Sequence, residues 1–122
     1  MEIRPTILIV DDDPAFGLML SNLVGSLGYQ VLITLSASNV PYYDLSGGDV
    51  IFMDLMMPDT NGFDALRTLS KHNSKCSLVL MSGSPARIAE AERLAKKLEL
   101  NILGVLHKPF RLEDVKHVLE GN

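Results

Sequence analysis

The stretch LIVDDDP, residues 8–14, decides how the chain is read. An apolar run ends abruptly in three acids and a proline. Carboxylates this close repel one another, so the crowding calls for a cation or a shared proton. The run itself reads as a strand covered on both faces. Asp13 suits a helix N-cap and Pro14 the first helical position, which puts the acids at a strand-to-helix turn.

The same grammar recurs along the chain. Thr6–Val10, Gln30–Leu35, Val50–Met53, Ser77–Met81 and Ile102–Leu106 read as strands, and all but the second are almost wholly apolar. Amphipathic segments lie between them. Phe16, Leu20, Leu23 and Leu27 recur at helical spacing before Gly28 stops the helix. Phe63, Leu66 and Leu69 mark a second helix. Ile88, Ala91, Leu94, Ala95 and Leu98 line one face of a third, opened by Ser84-Pro85. Leu112, Val115, Val118 and Leu119 mark the last. The segment SASNVPYYDLSGGD between strands 2 and 3 predicts one short or distorted helix. Five strands alternating with about five helices predict an α/β fold, a flavodoxin-like doubly wound parallel sheet with helices on both faces. The expected strand order is 2-1-3-4-5, with right-handed crossovers, in a single domain of residues 1–122.

Composition narrows the class. The chain has 122 residues, 47% hydrophobic and 21% charged, as a soluble globular domain does. A net charge of -4 without a basic patch argues against direct nucleic-acid binding. No apolar run reaches membrane-span length, and Met1-Glu2-Ile3-Arg4-Pro5 lacks an export pattern. The one cysteine, Cys76, forms no internal disulfide, and a cytoplasmic location is expected.

Ligands of such a sheet bind beyond the carboxyl ends of its strands, at the switch point between strands 1 and 3. Asp11 and Asp12 end strand 1, and Asp54 ends strand 3 in VIFMDLMMP. Strand 4 ends in LVLMSGS and delivers Ser82; strand 5 ends in GVLHKPF and delivers Lys108. Three carboxylates with a lysine and a hydroxyl suit magnesium and a phosphoryl group. Asp54, alone at its strand end, is the candidate nucleophile for an aspartyl phosphate.

The pieces ILIVDDDP, DVIFMDLMMPDTNGFDAL, LVLMSGS and LHKPF, in this order and spacing, resemble the receiver (CheY-like) domain of bacterial two-component response regulators over essentially the whole chain. The resemblance implies a phosphorelay signalling domain rather than an enzyme. It implies that Asp54 accepts a phosphoryl group from a histidine kinase. It implies that Mg2+ is held by Asp11, Asp12, Asp54 and the main-chain carbonyl of Met56. Ser82 would be the switch hydroxyl, Lys108 the phosphate partner, and Lys108-Pro109 a cis bond. Implied partners are a sensor histidine kinase or phosphotransfer protein and a downstream output domain or protein, with a homodimer as a further option. Phosphorylation would alter the face made by the last two helices and the last strand. The chain departs from the family at Val105, where an aromatic residue usually stands three before the lysine. Valine cannot exchange exposed and buried rotamers with a comparable change of surface.

Two other functions compete. A phosphorylation-independent docking module is suggested by Val105, and a small phosphatase by the Asp-x-Asp at 11 and 13. The phosphatase lacks a cap segment and a late acidic pair. The region from Ala86 to Val115 is also similar to receivers joined to EAL-type cyclic-di-GMP phosphodiesterase domains, so the chain reads as either a stand-alone regulator or part of a longer protein. The remaining polar residues have simpler readings. Gly62 is read as a turn residue, Asp59 as a solvated loop acid, Asp64 as a first-turn helix acid and Cys76 as an inert thiol. His72, His107 and His117 lack metal-ligand spacing.

Overall fold

After Thr6, every residue of the first strand, β1 (Thr6–Val10), is buried. The computed structural model describes residues 4–57, 60–72 and 75–121. Asp59 lies outside them. Ile7 and Ile9 face one apolar layer, while Leu8 and Val10 face the other, as the two-residue repeat of a strand requires. Four more strands complete a parallel sheet: β2 (Gln30–Thr34), β3 (Val50–Asp54), β6 (Ser77–Ser82) and β7 (Asn101–His107). The spatial order is β2-β1-β3-β6-β7. These five strands keep the expected order once a small unforeseen ribbon is set apart. It pairs β4 (Met56–Met57) with β5 (Thr60–Asn61), antiparallel, directly after Asp54.

Helices α1 (Pro14–Ser26) and α4 (Leu112–Glu120) cover one face with Leu20, Val24 and Val115. Helices α2 (Gly62–His72) and α3 (Pro85–Lys97) cover the other with Leu66, Leu69, Ile88, Ala91 and Ala95. Each fully buried aliphatic side chain contributes about 1.5–3 kcal/mol of transfer free energy, so these two stripes seat the helices. The weak segment between β2 and β3 is a 3-10 helix, Ala37–Tyr42, with Pro41 inside it. With it, the described residues hold four α-helices and one short, distorted helix, as the sequence predicts.

The structure corrects four local readings. The buried stripe of α1 runs through Gly17, Leu20 and Val24, and Leu23 is only half-buried. Leu112 is 36% exposed and outside the core layer, so α4 packs through Val115, Val118 and Leu119. Strand β2 stops at Thr34, and Leu35 lies beyond it. Gly62 is not a free turn residue but the buried first residue of α2. A Cβ there would sit 3.1 Å from the Leu55 carbonyl oxygen, so glycine lets α2 start tight against the end of β3. Strand β7 bulges at Leu103, which has no partner between Leu78↔Ile102 and Val79↔Gly104 and turns outward.

Candidate functional site

Register alone builds the site. Val10 pairs with Met53 across β1 and β3, so Asp11 and Asp54, each one residue further on, arrive level. Asp54 pairs with Met81, so Ser82 is one step beyond. Ser82 pairs with His107, so Lys108 is one step beyond that. Apolar runs of matched length thus deliver the polar residues to one rim.

One oxygen from each of Asp11, Asp12 and Asp54 lies within 4.8 Å of the other two. Asp11 is 0% and Asp54 3% exposed, while Asp12 is half-buried. Lys108 Nζ donates to Asp11 Oδ2 at 2.9 Å and lies 3.6 Å from Asp54 Oδ1. The Asp13 amide donates to Asp11 Oδ1 at 3.0 Å, and the Met56 amide to Asp54 Oδ1 at 3.1 Å. Burial pushes the Asp54 carboxyl above its usual range, and the charges of Asp11 and Asp12 add to that. Lys108 and the Met56 amide pull it back down. The single ammonium against three carboxylates leaves the cluster short of positive charge. All-oxygen donors of this charge fit a hard divalent cation such as Mg2+. Met56, whose carbonyl the family resemblance adds to that set, has its backbone beside the acids in the ribbon.

Ser82 is fully buried, and its Oγ accepts from the Ser84 amide at 3.0 Å. The Ser84 hydroxyl in turn caps α3 by accepting from the Arg87 amide at 3.3 Å. A change at Ser82 is therefore two hydrogen bonds from the first turn of α3. The Ser82 carbonyl accepts from the Lys108 amide at 2.9 Å, and Lys108-Pro109 is cis.

The Asp13 side chain caps α1 through the amides of Ala15 and Phe16, while its own amide holds Asp11. Asp64 lies in the first turn of α2, exposed, beside Arg67. Cys76 is buried at the opposite end of the sheet, its thiol 3.7 Å from the Ser46 carbonyl oxygen. The histidines join no cluster able to hold a metal among the described residues. His107 and Val105 instead line a cavity of about 330 Å3 with Asp114, His117 and Val118 of α4. Sequence reasoning missed Phe16 as a member of the site. Its ring centroid lies 4.0 Å from Lys108 Nζ. Only the position of Phe16 on the first turn after the acids hints at that contact.

The profile of the family described as Response regulator receiver domain matches residues 7–120. The DNA-binding transcriptional regulator NtrC of Azospirillum brasilense is 33% identical over 94% of this chain and 23% of its own length. The chain thus spans about a quarter of that relative, by the same coverage. Chemotaxis protein CheY of Thermotoga maritima is 30% identical over 93% of this chain and 92% of its own length. A response regulator from Colwellia psychrerythraea superposes with a TM-score of 0.84, at 31% identity over 96% of this chain and 94% of that one.

Proposed function

The chain belongs to the response regulator receiver family, and from that premise we propose that Asp54 is its phosphoacceptor. The observation that carries this assignment is the arrival of Asp54 and Asp11 side by side, each one residue beyond the Val10–Met53 pair, with Lys108 Nζ against both. An Asp54 carboxylate oxygen attacks the phosphorus of a phosphohistidine on a histidine kinase or phosphotransfer protein. The P–O bond forms as the P–N bond breaks. The electron pair returns to the imidazole, which takes up a proton. Lys108 favours the ionised, nucleophilic form of Asp54 beforehand, and then turns from Asp11 to the incoming phosphoryl oxygens. The Met56 amide donates to Asp54 Oδ1, the same oxygen that faces Lys108.

Asp11, Asp12, Asp54 and the Met56 carbonyl are the groups that would hold Mg2+. When bound, that ion supplies the positive charge the cluster lacks and shields the phosphoryl oxygens. Ser82 exchanges its contact with the Ser84 amide for a hydrogen bond to the phosphoryl group, which loosens the cap of α3. The signal then leaves through α3. Val105 is half-buried against the core on the α3 side, and its isopropyl group has no ring to turn in or out. The same unit, residues 1–122, passes this change to an output domain or protein.

The test is intact-protein mass after incubation with a small phosphodonor. Gain of one phosphoryl group that needs both Mg2+ and Asp54, and is absent in Asp54→Asn, supports the reading. No gain from small donors or from histidine kinases favours a docking module that keeps the fold without the chemistry.

A further inference from the structure

Lys108 is held from three sides, and only two of them are carboxylates. The third is the face of Phe16, 4.0 Å from Nζ to the ring centroid. A ring this close to an ammonium attracts it through the negative potential of its face. The ring is itself fixed. Phe110 meets it edge to face, with centroids 5.6 Å apart and planes at 88°. Phe16 packs on the layer that holds Ile9, Leu20, Met81 and Leu106. Its amide donates to the Asp13 cap at 3.3 Å, which sets the first turn of α1 beneath the lysine. Phe110 is two residues beyond Lys108, so the aromatic pair also ties the β7–α4 turn back onto α1.

We propose that Phe16 is a positioning residue for phosphoryl transfer, holding the Lys108 ammonium over its ring while the ammonium changes partner from Asp11 to the phosphoryl group. This rests on Asp54 being the phosphoacceptor. The physical point is that a hydrogen-bonded ion pair ties the ammonium to one oxygen, whereas a ring face attracts it anywhere over its breadth. At 2.9 Å Lys108 is committed to Asp11, and at 3.6 Å it is only near Asp54. To serve a phosphoryl group it has to let go of one acid without swinging into water. A ring face lets the ammonium slide while its stem stays covered. Lys108 is already partly shielded, with its side chain 25% exposed. Cation–π attraction grows as the cation loses water, so the contact is stronger here than on an open surface. The same ring keeps solvent off one flank of the site.

The sequence cannot distinguish this role from ordinary packing, because Phe16 also belongs to the apolar stripe of α1. The experiment therefore varies the ring's electronics and leaves its size nearly constant. Phenylalanine at position 16 is replaced by its mono-, di- and trifluorinated analogues in the full chain. The rate of Asp54 phosphorylation by a small donor with Mg2+ is then followed by intact mass. Fluorination drains the negative face, so the rate should fall stepwise along the series. Phe16→Leu, which keeps apolar bulk and loses the ring, should lower it about fivefold, and Phe16→Tyr should recover most of that loss. A second readout needs neither metal nor phosphodonor. The Lys108 Cε protons should resonate upfield of ordinary lysines because they sit over a ring, and return to the usual position in Phe16→Leu.

A flat rate across the fluorinated series, or an ordinary Lys108 Cε shift in the unmodified protein, overturns the assignment even if Phe16→Leu is slow or fails to fold. If the unmodified protein takes up phosphoryl at Asp54 while the series is flat, only the role of Phe16 falls. If it takes up none, the phosphoacceptor reading falls and takes this one with it.

Discussion

The carboxyl rim of β1, β3 and β6 and the outer face of β7 with α4 belong to one sheet but follow opposite rules. At the rim, Asp11, Asp54 and Ser82 are polar groups with almost no exposed surface, and each has a named hydrogen-bond partner. Along the edge strand β7, Val105, whose side chain packs on the α3 side, and His107 border an open cavity with His117 and Val118 of α4, and Leu103 is pushed outward by a bulge. The rim is over-determined: register, burial and charge all require the same residues there. This edge is loosely specified, and Val105 borders it with a small aliphatic side chain. The rim and the β7–α4 cavity are therefore separable in this chain, and each can be disturbed without the other.

The largest effect lies at the rim. Asp54→Asn should abolish phosphoryl uptake outright while leaving the circular dichroism spectrum unchanged. Lys108→Ala should slow uptake by on the order of 10²-fold, the usual loss when one preorganised charge is removed from a transition state. Stopped-flow or mass kinetics with a small donor measures both. If Lys108→Ala were as fast as the unmodified protein, the rim would be less tightly specified than described.

A stability effect of opposite sign is expected at the same residue. Burial raises the Asp54 carboxyl above its unfolded value, with Asp11 and Asp12 adding to the shift against Lys108 and the Met56 amide. Folding therefore favours proton uptake at this site. The stabilisation is complete below the ordinary carboxylate range and is lost as pH rises through the raised value. At neutral pH in chelator, ionised Asp54 thus weakens the fold, and Asp54→Asn should melt higher than the unmodified protein. That advantage should shrink as pH falls toward about 4. Thermal melts in chelator at a series of pH values measure it. A neutral-pH Tm no higher for Asp54→Asn would contradict the sign.

Changes on the other face should leave the chemistry alone. Val105→Tyr restores an aromatic at the edge of the β7–α4 cavity and should change the rate of Asp54 phosphorylation by less than about twofold, since it alters no rim charge. A large rate change would show that the two regions are coupled more tightly than their contacts indicate. The smallest effect is expected at Cys76. Burial and the neighbouring Asp49 raise its thiol against the pull of Lys75, so it should stay unlabelled by a thiol reagent at neutral pH until the chain is denatured.

Much of the rim was legible in the sequence because strands buried on both faces are nearly pure apolar runs, and the polar residues that end them announce themselves. Asp11, Asp54, Ser82 and Lys108 needed only strand order to be placed together. The ribbon of Met56–Met57 with Thr60–Asn61 was not legible, because two-residue strands carry no periodicity. Leu23 was misplaced in the stripe of α1, whose Phe16, Leu20 and Leu27 do pack, because apolar side chains run all round the helix. Leu18 is 60% exposed on the same helix whose Val24 is fully buried. Gly62 looked like a turn because only the third dimension shows Leu55 pressed against it. Phe16 was read as core for the same reason: its contact with Lys108 spans the distance from α1 to the far end of β7.

The most direct test of the separation is a map of backbone amide shifts in the protein before and after phosphorylation with Mg2+. Large changes are predicted at Asp11–Asp13, Asp54–Met56, Ser82–Arg87 and Lys108, continuing along α3, with small ones at Val105, His107 and α4. A map with no change at Ser82–Arg87, or with changes on the β7–α4 face as large as those at the rim, would contradict the account.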